Sequence, residues 1–211
     1  MSKVIITIDR QYGSGGREIG TRVAELLGIP KYDEELVSLA ADSDEALAKE
    51  ALEKVDERAT NSLLYTLVMG GASHGGVSSH HPHTLPLNDR LFAKQSALMR
   101  EWAEKGSCVI IGRCSDYVLK DERARLSFFI YADVADRKAR VAAQYGIKES
   151  EAIDRINKTD RRRASYYNFY TGGKWGKYDN YHIAIDSTVF GIEGAARLIA
   201  DMARKKMSED I

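Results

Sequence analysis

The sequence has no long apolar run. The longest, such as Leu63 to Met69 and Leu126 to Tyr131, fall far short of the roughly 18 residues that cross a bilayer, so no membrane span is expected. Nor is there a leader-like segment, because Val4-Ile5-Ile6-Thr7-Ile8 is closed off by Asp9, too early for a secretory apolar region of about 7 to 15 residues. Cysteine is scarce, with only Cys108 and Cys114, and a reduced thiol pair in a cytoplasmic protein is expected rather than a disulfide framework. Net charge is absent, since 31 Lys and Arg balance 31 Asp and Glu. That argues against a protein built mainly to coat nucleic acid or anionic lipid, and any charge selectivity must be local. What is present is ordinary globular composition: 211 residues, 44% hydrophobic and 29% charged, which predicts a folded, soluble chain of one sizeable domain.

Val4 to Ile8 is a short β-branched run ended by Asp9, the pattern of a strand buried on both faces in a parallel sheet. After Gly13-Ser14-Gly15-Gly16, the apolar positions Ile19, Val23, Leu26 and Leu27 recur at helical spacing until Gly28 and Pro30 stop them. Leu52, Val55, Ala59 and Leu63 mark one face of a long helix between Asp44 and about Met69. Gly70 to Pro86 then holds four glycines, three serines, four histidines and two prolines in seventeen residues, the composition of a mobile surface loop. A further helix is predicted with Asn88 or Asp89 as N-cap, ending at Gly106. Beyond it, strands at Ser107 to Ile111 and Leu126 to Tyr131, a turn at Tyr117 to Leu119, a helix capped by Asp133, a basic helix from Glu149 to about Tyr170, a strand at His182 to Ile185 and a closing helix through Ile192, Ala196 and Ile199 complete a β-then-α alternation.

A glycine-rich turn between a buried strand and a helix presents backbone N–H groups and the positive end of the helix dipole to its guest, for which phosphate is the natural choice. Two loop patterns fit in part. G-x-G-x-x-G takes Gly13 and Gly15 but puts Glu18 at its third glycine, where a carboxylate repels pyrophosphate. G-x-x-x-x-G-K-[ST] aligns its sixth position with Gly15, with Arg10 for the first glycine, Gly16 for the lysine and Arg17 for the hydroxyl residue. A point cation for the transferring phosphates and one magnesium ligand are therefore missing. Arg17 either turns into the loop and replaces the lysine charge, gripping two phosphate oxygens at once, or faces solvent on the first helical turn.

Ile8-Asp9 through Gly13-Ser14-Gly15-Gly16-Arg17-Glu18-Ile19-Gly20, with Asn88-Asp89-Arg90-Leu91-Phe92, Ile111-Gly112-Arg113-Cys114 and Ile185-Asp186-Ser187-Thr188, resembles the cytidylate kinase-like proteins over nearly the whole chain. The resemblance implies an α/β P-loop fold of the nucleoside monophosphate kinase type, a parallel sheet flanked by helices with a helical lid. It implies one kinase-like domain over residues 1–211, with a helical insertion at about 34–106 that includes a flexible loop at 70–87, and a lid at about 149–180. The implied activity moves the terminal phosphoryl of ATP, with Mg2+, onto a nucleoside monophosphate, CMP or dCMP first. Gly13, Ser14, Gly15, Gly16 and Arg17 would form the phosphate-binding loop, and Arg113 would lie near the monophosphate. The resemblance also implies a further phosphate-binding arginine that this chain lacks, and Arg90 would be the candidate to replace it. Asp33 falls where the base or sugar is met, although an N-cap role suits it equally.

Residues 155 to 163 set Arg155, Lys158, Arg161, Arg162 and Arg163 against one acid, Asp160. Either this is a solvated helical face, or it is a lid whose arginines close over the transferring phosphoryl group and exclude water. The resemblance favours the lid, with Asp160 and Arg163 keeping its spacing and Arg162 and Arg163 joining Arg17 as catalytic candidates. The aromatic residues that follow, Tyr166, Tyr167, Phe169, Tyr170 and Trp175, keep open an RNA-binding module at 161–175, though neutral total charge speaks against it. A nucleotide-binding protein with little turnover is the other alternative, given the missing lysine. His74, His80, His81 and His83 fit no standard metal spacing, and no metal ligand is assigned. Cys108 and Cys114 are expected to be buried small hydrophobes without chemistry.

Overall fold

A computed structural model describes residues 2–33 and 87–208. The chain divides into two compact units, Met1–Asp33 with Met99–Ile211, and Glu34–Leu98. The helix expected at 44–69 and the histidine-bearing loop lie outside the described residues.

The first unit is organised by runs of β-branched and aromatic residues that find partners only in one another. Strands β1 (Ile5–Arg10), β2 (Lys31–Tyr32), β3 (Cys108–Ile111), β4 (Arg125–Tyr131) and β5 (Ile183–Asp186) form one sheet in the order β2-β3-β1-β4-β5. Every pairing is parallel, with Ile8 opposite Ile111 on one side and Phe128 on the other. Parallel strands need helical crossovers, and these cover the sheet. On one face Ile6, Ile8, Val109, Ile111, Phe128, Ile130 and Ile185 pack against Ile19 and Val23 of α1 (Gly16–Leu27) and Ala195, Ala196, Ile199 and Ala203 of the last helix. Each such fully buried aliphatic or Phe side chain contributes roughly 1.5–3 kcal/mol.

Helix α2 (Leu87–Lys105) is already helical at Leu87, so Asn88 and Asp89 lie inside it and neither is its N-cap. Its last turns bury Met99, Trp102 and Ala103, and the Trp102 ring stacks on Tyr32 at 3.7 Å. A single turn, α3 (Ser115–Val118), packs beneath β1. Helices α4 (Val134–Tyr145) and α5 (Glu149–Thr171) join through Val141, Ala152 and Ile156. Helix α6 (Ser187–Ser208) is broken at Gly191, where φ is 64° and ψ 177°. The strand β2 carried no apolar run and was not expected; two residues become a strand only because β3 pairs with them.

From β1 the chain leaves for the β2 edge of the sheet, and from β4 for the β5 edge. The carboxyl ends of the central strands therefore form a switch point, the place where open parallel sheets bind ligands. No helix among the described residues is long and apolar enough to cross a membrane.

Candidate functional site

The glycine loop runs from the end of β1 to the start of α1, and its carbonyls are pinned from outside. Arg163 donates to the Arg10 oxygen (2.7 Å), Arg137 Nε to that of Tyr12 (2.8 Å), Arg140 to that of Gly13 (2.6 Å) and Ser187 Oγ to that of Ser14 (2.6 Å). The Ser14 hydroxyl donates to the Gln11 oxygen at 2.9 Å. Asp160 accepts from the Tyr12 N–H at 2.8 Å and pairs with Arg137 through its other oxygen. With its oxygens held outward, the loop keeps N–H groups for something else: those of Gly13, Gly15 and Gly16 donate to no other described residue. Gly13 and Gly15 have φ of 79° and 77°, the left-handed region that disfavours side chains, and a Cβ on Gly15 would stand 2.2 Å from Ile192 Cδ1. A ring of backbone donors at a helix N-terminus, backed by guanidinium groups, is chemically an anion cradle.

Arg17 extends from the first turn of α1 to Asp33, Nε to Oδ2 at 2.6 Å. Asp33 is buried just after β2, and Arg10 approaches its other oxygen at 3.7 Å. Arg113 follows Gly112 and is the exposed residue of an otherwise buried turn where Gly112, Arg113 and Cys114 all have positive φ (69°, 58° and 57°). Two consecutive non-glycine residues in that region store strain, which persists where the surroundings over-determine it and is found most at ligand sites. Arg90 is on α2 in the other unit.

Of the residues expected in a lid, Asp160 and Arg163 hold the loop main chain, and Arg155 donates to the Tyr12 hydroxyl at 3.2 Å while lying over the Tyr145 ring. Lys158, Arg161 and Arg162 are exposed on α5. Burial pushes the Arg163 guanidinium down to about 10, and the neighbouring Arg10 charge adds to it. The aromatic stretch packs inward only in part, and Phe169 is exposed. Tyr167 and Tyr181 are buried, and Trp175 stands edge-on to Phe129 at 5.5 Å. Tyr166 and Phe169 each lean on Tyr170.

Sequence reasoning did not single out Asp9, Arg137 or Arg140. Asp9 is buried, and its Oδ2 accepts from Trp175 Nε1 (2.7 Å) and the Tyr181 hydroxyl (3.0 Å). Nearby, the Tyr167 hydroxyl donates to Asp116 at 2.8 Å. Burial first, then the Asp9 charge, push the Asp116 carboxyl up to about 7. The one available signal for Arg137 and Arg140 was their i, i+3 spacing on the helix after β4, which places both on one face. Cys108 and Cys114 are free and buried, and burial pushes the Cys108 thiol up to about 11 and that of Cys114 higher still.

The site poorly fits a resident metal ion. Arg17 stands at the hydroxyl position, Asp9 accepts from Trp175 and Tyr181, Asp33 is ion-paired with Arg17 and Arg10, and no group of three or more His, Cys, Asp or Glu side chains gathers among the described residues.

Among solved structures, the chain is similar to an uncharacterized protein from Eubacterium ventriosum ATCC 27560, at 27% identity and a TM-score of 0.71 over 96% of this chain and 99% of that one. TT1252 from Thermus thermophilus (16% identity, TM-score 0.51, 97% and 98% of the two chains) shares the fold. So does shikimate kinase from Bacteroides thetaiotaomicron (15% identity, TM-score 0.51, 96% and 99%). No curated protein matches significantly. The fold is thus that of the P-loop kinases, and the match of residues 5–189 to the cytidylate kinase-like family settles the relationship: the chain belongs to that family.

Proposed function

We propose that the protein is an ATP-dependent phosphotransferase whose acceptor is a nucleoside monophosphate, CMP or dCMP first. The observation that carries this reading is the loop itself, whose carbonyls are held outward by Arg137, Arg140, Arg163 and Ser187 while the N–H groups of Gly13, Gly15 and Gly16 remain for the donor's phosphates. Phosphoryl transfer needs little covalent help from the protein; positioning and charge stabilisation suffice. Arg113 meets the acceptor's phosphate at the carboxyl end of β3. The exposed Arg162 is free of the packing that holds Arg163, and it supplies positive charge from α5 as the nucleotides are enclosed. Mg2+ enters as the nucleotide's own complex, held by phosphate oxygens and water, and no side chain is assigned to it. The preference for CMP or dCMP rests on family membership alone.

A coupled phosphotransfer assay over CMP, dCMP, UMP and AMP, beside an ATP-binding titration, tests the reading. Turnover with CMP or dCMP is expected. Tight ATP binding with no turnover on any acceptor identifies a nucleotide-binding relative that has lost catalysis, and absence of both overturns the proposal.

A further inference from the structure

Two of the three departures of the glycine loop from the phosphate-loop pattern, Arg10 and Gly16, are a single exchange of volume. A Cβ at Gly16, where the pattern has lysine, would lie 2.5 Å from Arg10 Cβ and 2.9 Å from its Cγ. Arg10 itself stands where the pattern has its first glycine. Its stem therefore runs through the space in which a side chain at residue 16 would begin, so an arginine at 10 requires a glycine at 16. The guanidinium then passes Gly112, where a Cβ would stand 2.0 Å from Nη1, and ends between Asp33 (3.7 Å) and Asp9 (4.0 Å). Arg17 closes the other side of Asp33 at 2.6 Å. The charges of Arg17 and Arg113 both bear on the Arg10 guanidinium. Two guanidiniums thus flank the buried Asp33, Arg113 follows the Gly112 that the Arg10 guanidinium touches, and Asp9 is shared with Trp175 and Tyr181.

We propose that Arg10, Arg17 and Arg113 form the subsite for the acceptor's phosphate dianion, with Asp33 as its internal counter-ion rather than a reader of the base. This deepens the phosphotransferase reading and rests on it for the acceptor's class. Asp33 is already ion-paired with two guanidiniums, and its Oδ2 is buried without a hydrogen bond, so a base amino group would have to reach a shielded oxygen and compete with two cations for its charge. A phosphate monoester offers three oxygens to planar forks that match them, and its two charges replace the one that Asp33 supplies. The cation that a conventional loop carries at its helix start is here moved to the strand end, on the β2 and β3 side. A counter-ion also predicts a sign that a base reader does not: removing its charge leaves the guanidiniums of Arg10 and Arg17 undercompensated and strengthens anion binding.

The test titrates the full-length protein with inorganic phosphate, with ADP present to occupy the loop, following affinity by calorimetry and Tm by thermal melts. Asp33→Asn is expected to bind phosphate about tenfold more tightly than wild type, with a steeper rise of Tm as phosphate is added. Arg10→Gln and Arg113→Gln are expected to bind it at least about tenfold more weakly. If Asp33→Asn leaves phosphate affinity unchanged or lowers it while weakening CMP binding, Asp33 reads the base and the proposal fails. Wild-type phosphate affinity in Arg10→Gln likewise overturns it. Should Arg10→Gln not fold, Arg10→Lys keeps the charge but loses the fork, and its phosphate affinity is expected to fall several-fold; an unchanged value counts against the subsite. Failure of the phosphotransferase reading is separable, because the phosphate affinities would then follow this pattern while ATP supports no transfer to any of the four monophosphates.

Discussion

Arg10 and Gly16 show how one residue's size is set by another's. Restoring the pattern's lysine by Gly16→Lys drives a stem into the Arg10 side chain, a contact 2.5 Å from the backbone-fixed Cβ position, and is expected to destabilise the protein by about 1–3 kcal/mol. Removing the obstruction in the double variant Arg10→Gly with Gly16→Lys should recover part of that loss. Chemical denaturation of the two single variants and the double closes the cycle. A coupling of about 0.5–3 kcal/mol in the favourable direction is expected, and strict additivity refutes the shared volume. Gly112 obeys the same constraint from the opposite side, since the Arg10 guanidinium lies where its side chain would be.

At the scale of elements, the loop is shaped less by its own glycines than by α4 and α5. Asp160 is the joint between them, accepting from the Tyr12 N–H and pairing with Arg137, whose side chain is only 6% exposed. Asp160→Ala leaves that guanidinium buried without its carboxylate and the Tyr12 N–H without its acceptor, so a loss of about 2–4 kcal/mol is expected. ATP affinity should fall with it, because a loop no longer held open must be ordered at the ligand's expense. Asp160→Asn keeps an oxygen for Tyr12 and should lose less. Arg162→Ala, on the exposed side of the same helix, is expected to stay within about 0.5 kcal/mol of wild type in stability. Denaturation curves and ATP titrations on the three variants check the order; equal losses for Asp160→Ala and Arg162→Ala refute the bracing role.

At the scale of the fold, the carboxyl edge of the sheet is tied to α5 and to the segment after it by two buried acids. Asp9 holds Trp175 and Tyr181, and Asp116 holds Tyr167. Because burial and the Asp9 charge raise the Asp116 carboxyl to about 7, against about 3.9 for an unperturbed aspartate, the native state keeps a proton that the unfolded chain has lost between those values. The corresponding stability is fully present below about pH 4 and is lost as pH rises through 7. Asp116→Asn has no proton to lose and still offers an oxygen to Tyr167. The Tm difference between this variant and wild type should therefore move in the variant's favour from pH 5 to pH 8, and a difference flat with pH across melts in that range refutes the shift.

The strand, glycine loop and helix at the amino end were legible because their signals are local: a β-branched run, glycines at positions of positive φ, and apolar spacing that ends at Gly28. The helices at Val134–Tyr145 and Glu149–Thr171 were legible for the same reason. The strand at Lys31–Tyr32 was not, since two residues carry no periodicity. Nor was the destination of any arginine, because a flexible charged side chain has many partners within reach and only the folded chain selects one. Arg163 meets a carbonyl 153 residues away, and Trp175 meets a carboxylate at a separation of 166. By itself, then, the sequence determined the types of the longer described elements, the family and the loop's place between strand and helix, all of which depend on neighbours along the chain. Only the tertiary structure decided that Arg10 fills the volume left by Gly16, that Asp33 lies between two guanidiniums and that α5 grips the loop, because those outcomes depend on which surfaces the parallel sheet brings together at its carboxyl edge.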